Sequence, residues 1–265
     1  MKIGIVGIGV VGEAVKYGFE KIGHQLACHD IRLNTSLKDV LNTEICFLCL
    51  PTPSGADGEC DVKIVAKVID DLHLLEFTGI IAIKSTVAPG TTQNLIKQYS
   101  NNKICFVPEF LRERCASVDF IENHDVCIIG TENQLVYEKI LEAHGSLPDT
   151  FKKLSPTEAE LSKYFNNIYN ATLITFANSF YEVCKSVGAD YTQVKNAAIL
   201  REHIEDIYLD CNNKFRGFGG MCLPKDTKAI NALCLRKGLD VKFFQNLLDE
   251  NSRYEVTVFD GMREE

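Results

Sequence analysis

The sequence predicts an α/β protein: a Rossmann-like, doubly wound parallel sheet over residues 1–154, followed by an all-helical domain over residues 155–265. Three observations predict it. The chain opens as strand, glycine turn and helix. Apolar strand-like runs then alternate with helical segments as far as Ala143, the pattern of a parallel sheet with crossover helices. From Ser155 onward the apolar residues keep helical spacing only.

The first strand covers residues 2–6. Gly7, Gly9 and Gly12 follow with G-x-G-x-x-G spacing, and Ala14, Val15, Phe19 and Ile22 give the next segment the apolar face of a helix. In that context Gly7, Gly9, Val10, Val11 and Gly12 form a dinucleotide turn, with a helix N-terminus for the pyrophosphate. The second strand, over 25–29, runs into Asp30, at the offset where a carboxylate accepts the hydroxyls of an adenosine ribose. An acid there disfavours a 2′-phosphate, so NAD is expected over NADP, a preference that Arg32 moderates. Further strands are expected over 44–50, 79–84, 103–107 and 126–130, with helices over 62–75, after Thr91-Thr92 and over 133–143.

Three of these strands end in polar loops: Pro51-Thr52-Pro53, Ser85-Thr86-Val87-Ala88-Pro89-Gly90, and Pro108-Glu109-Phe110-Leu111-Arg112-Glu113. Ligands of open α/β sheets bind beyond the carboxyl ends of the strands. Thr52, Thr86, Glu109 and Glu113 are therefore candidates to face a nicotinamide and its substrate. Each loop taken alone is also compatible with turn chemistry.

The helical half begins at Ser155-Pro156-Thr157-Glu158, a capping box with proline at the first helical position. Leu161, Phe165, Ile168, Leu173, Phe176, Phe180 and Val183 continue at helical spacing through Ser186. These apolar positions exceed what a one-sided surface helix needs, so the helix is expected to pair with its symmetry mate in a homodimer. Lys163 and Asn167 lie four apart and share one face. Beyond Gly188, helices are expected over 193–208, up to 237, and over 241–251.

Gly217-Phe218-Gly219-Gly220-Met221-Cys222-Leu223-Pro224-Lys225-Asp226 joins a glycine turn, a thiol and a helix start. The glycines, Gly219 among them, permit close ligand approach, and Pro224 suits the first position of a helix. Cys222 would then precede a helix N-terminus, where amide N–H groups favour a thiolate and lower its pKa from the ordinary value of about 8.5. Asp226 follows one turn later. Cys28, Cys46, Cys49, Cys105, Cys127 and Cys234 fall in apolar runs and read as core.

The 265 residues are 46% hydrophobic and 24% charged, ordinary for a soluble protein. A formal charge of −8 argues against nucleic acid or an anionic membrane as the main partner. Without a charged leader or a membrane-length apolar run, the chain is expected in the cytoplasm. Eleven cysteines without paired CxxC spacing support neither a disulfide framework nor a zinc site, and no metal is expected.

Taken in order, the Gly7/Gly9/Gly12 turn, Ser85-Thr86-Val-Ala-Pro-Gly-Thr-Thr, Pro108-Glu109-Phe-Leu-Arg-Glu113, Glu160-Leu-Ser-Lys163-Tyr-Phe-Asn-Asn167 and the Cys222 turn resemble the UDP-glucose/GDP-mannose dehydrogenase family. The resemblance covers nearly the whole chain. It implies an NAD-dependent, four-electron oxidation of a nucleotide-sugar C6 alcohol to a uronic acid, with UDP-glucose the first substrate to consider. By matching position it makes Cys222 the nucleophile that forms a thiohemiacetal and then a thioester, and Lys163 and Asn167 the oxyanion stabilisers. Lys163 and Asp226, with a water, would serve the first deprotonation, and Glu109 the attack of water on the thioester. Thr86, Glu113 and Lys225 would lie near cofactor and active site, and Phe110-Leu111 near the sugar, with Lys163, Asn167 and Gly219 also on the substrate side. Family members continue into a second nucleotide-binding domain, so the chain is expected to be a short form or a truncation without that lid. Two other readings stay open on sequence: a β-hydroxyacid dehydrogenase, which would not need Cys222, and a non-enzymatic NAD-binding module.

Overall fold

Runs rich in Ile, Val and Cys, too short for buried helices, become strands here, and the computed structural model of the chain describes residues 1–257. The expected second domain therefore extends, over 258–265, outside the described residues. In order, the elements are β1 (Lys2–Val6), α1 (Val10–Lys21), β2 (Gln25–His29), β3 (Ile45–Leu48), α2 (Lys63–Leu74), β4 (Ile80–Ile83), α3 (Thr91–Gln98), β5 (Lys103–Phe106), α4 (Ala116–Glu122), β6 (Val126–Gly130), α5 (Gln134–His144) and β7 (Thr150–Leu154). Four helices follow: α6 (Pro156–Ser186), α7 (Tyr191–Ala198), α8 (Leu223–Arg236) and α9 (Phe243–Asn251). The chain forms two compact units. The first joins Met1–Pro53 to Cys60–Lys163; the second joins Ser54–Glu59 to the chain from Tyr164 onward.

The first unit is a single sheet in the order β2-β1-β3-β4-β5-β6-β7. From β2 to β5 the pairing is parallel, and the order reverses between β1 and β3, the switch point at which ligands of such sheets bind. Alternate residues fill the two faces. Ile3, Ile5 and Phe47 pack with Phe19 and Ile140 on one side, while Val6, Leu48, Ile81 and Ile83 pack with Val65, Ile69 and Leu95 on the other.

The sheet departs from parallel pairing at one place. β6 pairs with β5 antiparallel, through Phe106 and Gly130, although β6 and β7 are parallel to each other. The reason lies in the connection. After β5 the chain forms α4, whose Phe120 packs so closely on α1 that a Cβ at Gly18 would stand 2.2 Å from its ring. Chain spent covering that face enters β6 from the end where β5 finishes instead of crossing back.

Helix α6 starts, still within the first unit, where its capping box predicts, with Glu158 Oε2 accepting from Ser155 N at 2.9 Å, and the second unit takes it up from Tyr164. The helix expected over 193–208 is a correction: α7 stops at Ala198, and Tyr208 has a φ of +58°. Tertiary bonds override the propensity. Tyr191 Oη donates to Leu209 O at 2.7 Å, and Lys195 Nζ reaches Asp206 at 2.8 Å and Asp210 at 2.7 Å, folding the segment back along α7. Along α6, Leu161, Phe165, Tyr169, Phe176, Phe180 and Val183 are exposed. Among the described residues no helix is long and apolar enough to cross a membrane.

Candidate active site

The glycine turn of the first unit is closed at its ends and open in its middle. Gly7 has a φ of +90°, and a Cβ on it would lie 2.3 Å from Cys49 O; one on Gly12 would lie 1.9 Å from Gly7 O. Gly9 has nothing within 4 Å of its missing Cβ. Gly9 is also the N-cap of α1 and offers no side-chain bond to the leading N–H groups of Val10, Val11 and Gly12. Open space before uncapped amides is the chemistry that suits a pyrophosphate.

Asp30, 7% exposed, follows β2 beside this turn. Its Oδ2 accepts from Ile8 N at 2.7 Å and Arg32 Nη2 at 3.0 Å, and its Oδ1 accepts from Arg32 N and Nε at 2.9 Å each. Arg32 Nη2 also reaches Ile8 O at 2.7 Å. The Arg32 hydrogen bonds hold the Asp30 carboxyl well below the usual carboxylate range, against the opposing effect of burial. Arg32 is thus part of the acid's own cradle, whereas the sequence suggested only a neighbour.

At the strand ends of the same unit, Cys60 Sγ donates to Thr86 O at 3.3 Å and lies 3.9 Å from Thr52 O, tying two candidate cofactor loops together. Glu109 Oε2 accepts from Leu111 N at 2.7 Å, and its Oε1 from Lys163 Nζ at 3.1 Å. Lys163 is 4% exposed, donates also to Glu109 O at 2.5 Å, and stands 5.5 Å from the centre of the Phe110 ring. Glu113 starts a 3-10 turn, Glu113–Cys115, and is half-buried. Lys84 is buried between the rings of Phe47 and Phe120, and burial pushes its ammonium down.

Glu160 is a functional neighbour that the sequence reading did not single out. Fully buried, it accepts Gly90 N at 2.5 Å and Thr92 N at 2.7 Å, and so caps α3, whose own N-cap, Gly90, has no side chain. Burial pushes its carboxyl up. The available signal was its place three residues before Lys163, on the same side of the helix.

The second unit holds the other cluster. Asp226 is 0% exposed; its Oδ2 accepts from Asn167 Nδ2 at 2.6 Å and its Oδ1 from Lys225 Nζ at 2.5 Å. Asn166 Nδ2 supports Asn167 Oδ1 at 3.1 Å. Cys222 is exposed and forms the N-cap of α8, its carbonyl accepting Asp226 N at 2.9 Å. Since α8 begins at Leu223, Pro224 is its second residue and not its first. Gly217 and Gly220 take φ of +60° and +73°. Gly219 has another neighbour than expected: a Cβ there would stand 2.4 Å from Val256 Cγ1, so the close approach it permits is to the chain itself. An exposed thiol at a helix N-terminus, one turn from a buried carboxylate held by an ammonium and an amide, can form covalent adducts and move protons. Among the described residues no group of three or more His, Cys, Asp or Glu side chains could hold a metal ion.

Residues 29–144 match the NAD binding domain of the UDP-glucose/GDP-mannose dehydrogenase family, and residues 157–253 match its central domain. The chain is 29% identical to the UDP-glucose 6-dehydrogenase AglM of Haloferax volcanii, over 100% of this chain and 72% of the relative. It is 33% identical to a UDP-glucose 6-dehydrogenase of Rickettsia bellii, over 89% of this chain and 55% of that protein. Among solved structures, a UDP-glucose dehydrogenase from the archaeon Pyrobaculum islandicum is similar with a TM-score of 0.86 and 26% identity, covering 95% of this chain and 68% of that one. The chain thus spans between 55% and 72% of the length of these relatives.

Proposed function

Because the chain belongs to the UDP-glucose/GDP-mannose dehydrogenase family, we propose that it carries out the NAD-dependent oxidation of a nucleotide-sugar C6 alcohol, UDP-glucose first, to the uronic acid through covalent adducts on Cys222. Written in full, RCH2OH, two NAD+ and water give RCOO−, two NADH and three protons. NAD, when bound, supplies the hydride acceptor for both oxidations. Gly7, Gly9, Gly12 and the first amides of α1 would hold its pyrophosphate, and Asp30 with Arg32 its ribose, with Val10, Val11, Thr52, Thr86, Glu113 and Lys225 completing its surroundings.

In the first oxidation Asp226, with Lys163 and a water, takes the hydroxyl proton as C6 gives up hydride. Cys222 Sγ then adds to the aldehyde carbon and its proton passes to the oxygen, giving a thiohemiacetal. Loss of the second hydride and the hydroxyl proton leaves a thioester, with Lys163 and Asn167 stabilising the oxygen's charge. Glu109 assists the attack of water; the C–S bond breaks, and the departing thiolate recovers a proton. Phe110 and Leu111 are assigned to the substrate side. A β-hydroxyacid oxidation would need no thiol, which leaves the exposed Cys222 at the start of α8 unexplained.

That thiol is the observation on which the reading rests. Counting NADH tests it: each sugar should yield two NADH and a carboxylate, and Cys222→Ser should accumulate an ester adduct visible by intact mass. One NADH per substrate, or acid made at an undiminished rate without the thiol, would overturn it. The reading includes a homodimer joined along the apolar outer face of α6, which sedimentation at twice the chain mass would support and a concentration-independent monomer would reject. It also includes a cytoplasmic location, with which eleven cysteines, none in a disulfide, are consistent.

A further inference from the structure

The turn that presents Cys222 is held by two asparagines that the mechanism does not use. Asn251, the last residue of α9 and 9% exposed, grips one peptide residue from both sides. Its Oδ1 accepts Phe218 N at 2.8 Å and its Nδ2 donates to Phe218 O at 2.9 Å. Asn178, on α6 and 1% exposed, accepts Gly217 N at 3.2 Å and Arg216 Nε at 2.7 Å through a single oxygen. Arg216 is itself fixed, with Nη2 on Glu182 at 2.6 Å and its guanidinium 4.8 Å from the Tyr181 ring centre and 4.7 Å from that of Tyr254.

Geometry makes these anchors necessary. Gly217 and Gly220 both sit at positive φ and have no side chains of their own to restrict the hinge they form, while Cys222 lies only two residues beyond the second. On its helix side Cys222 is held through its carbonyl, which accepts Asp226 N at 2.9 Å; on the turn side its approach runs through two glycines, and there the two asparagines grip the chain. Asn178 lies about three helical turns after Asn167, on the same face of α6. One helix face therefore holds both the Asp226 carboxylate, through Asn167, and the entry to the turn, through Asn178.

We infer that Asn251 is a positioning residue for Cys222: by clamping both polar atoms of Phe218 it fixes the direction in which the turn delivers the thiol to the N-terminus of α8. The inference rests on the functional reading of Cys222, but its test needs no turnover. The two asparagines make opposite forecasts for the same exchange. Asn178 serves the turn only as an acceptor, which aspartate preserves, the donor it gives up being the one to Ile174 O within α6. Asn251 serves as acceptor and donor, and aspartate loses the second and sets a carboxylate oxygen against Phe218 O.

The experiment is alkylation of the full chain by iodoacetamide across a pH series, read cysteine by cysteine by peptide mass, with buried Cys184, in the same unit as the turn, as the reporter of intact fold. Asn251→Asp should slow Cys222 alkylation by about five- to tenfold near neutral pH and move its pH midpoint upward, as expected when a thiol loses hydrogen-bonded placement at a helix N-terminus. Asn178→Asp should stay within about twofold of the parent, and Cys184 should remain protected in both. Asn251→Ser, smaller and uncharged, is the second variant and should behave as Asn251→Asp does. A parental Cys222 profile in either folded Asn251 variant overturns the inference, as does equal slowing in Asn178→Asp. Exposure of Cys184 at the Cys222 rate in both Asn251 variants also counts against it, because the residue would then hold the fold of its unit and not the turn. Acid formation surviving Cys222→Ala would instead defeat the functional reading and leave the alkylation result standing.

Discussion

The glycine turns that lead into α1 and α8 differ in what stands at the N-cap. Before α1 the cap is Gly9, with nothing within 4 Å of its missing Cβ and no side-chain bond to the amides behind it. Before α8 the cap is Cys222, whose side chain is exposed. The same electrostatic device, a cluster of N–H groups at the positive end of a helix, is left bare in one case and given an exposed thiol in the other. On the proposed function the first turn holds an anion that stays intact and the second meets a carbonyl to be attacked. Their packing follows: Gly7 and Gly12 are squeezed by backbone, so the first turn is rigid by contact, whereas the second is held by the asparagine and arginine bonds around Gly217 and Phe218.

If the two turns divide labour in this way, substitutions should separate chemistry from cofactor binding. Cys222→Ala should lower acid formation by at least about a thousandfold while leaving NAD affinity unchanged, measured by NADH release beside calorimetric titration. Loss of NAD binding in that variant would break the comparison from one side. Gly12→Ala tests the other. Its Cβ would meet Gly7 O at 1.9 Å, so the turn must open, at a cost of about 1–3 kcal/mol in stability and with loss of measurable NAD binding, while Cys222 alkylation stays as in the parent.

Asp30→Ala should have a smaller effect. Removing the carboxylate weakens NAD by about tenfold and NADP by less, because the guanidinium of Arg32 is released towards a 2′-phosphate. Equal losses for both cofactors in parallel titrations would reject the assignment. The smallest effect expected is on acid stability. Since Arg32 holds the Asp30 carboxyl below its ordinary 3.8, the pair stabilises the fold fully above that pH and the contribution is lost as pH falls through and below it. Asp30→Asn should therefore flatten the decline of melting temperature below about pH 4, and only there.

Periodicity made much of this fold legible before any coordinates. β1, β2, β6 and α6 stand where spacing, glycines and the capping box put them. β7 carries no strand signal in the sequence, because Thr150-Phe-Lys-Lys-Leu lacks an apolar run. It is an edge strand paired only with β6, and lysines of this kind guard such edges. The stretch after Ala198 carries no glycine or proline to announce the end of α7, and what ends it, Lys195 with Asp206 and Asp210, is a tertiary event without local signature. At the candidate site the residue types were visible and their partners were not. Nothing near Gly90 reveals that Glu160 will cap the helix after it, nor does anything near Phe218 point to Asn251.

The Glu160 latch bears on how the protein can be divided. A helix of eight residues, α3, borrows its N-terminal acceptor from a carboxylate that arrives about seventy positions later in the chain, within the first two turns of α6. The sheet cannot be excised as an autonomous module at the end of β7 without leaving Gly90 N and Thr92 N without their acceptor in the interior. During synthesis the loop of Thr86 stays unlatched until the start of α6 has emerged. Recombination that exchanged one half of such a molecule for another would have to carry Pro156 to Lys163 along with the sheet, and so take the lysine that meets Glu109 in the same inheritance.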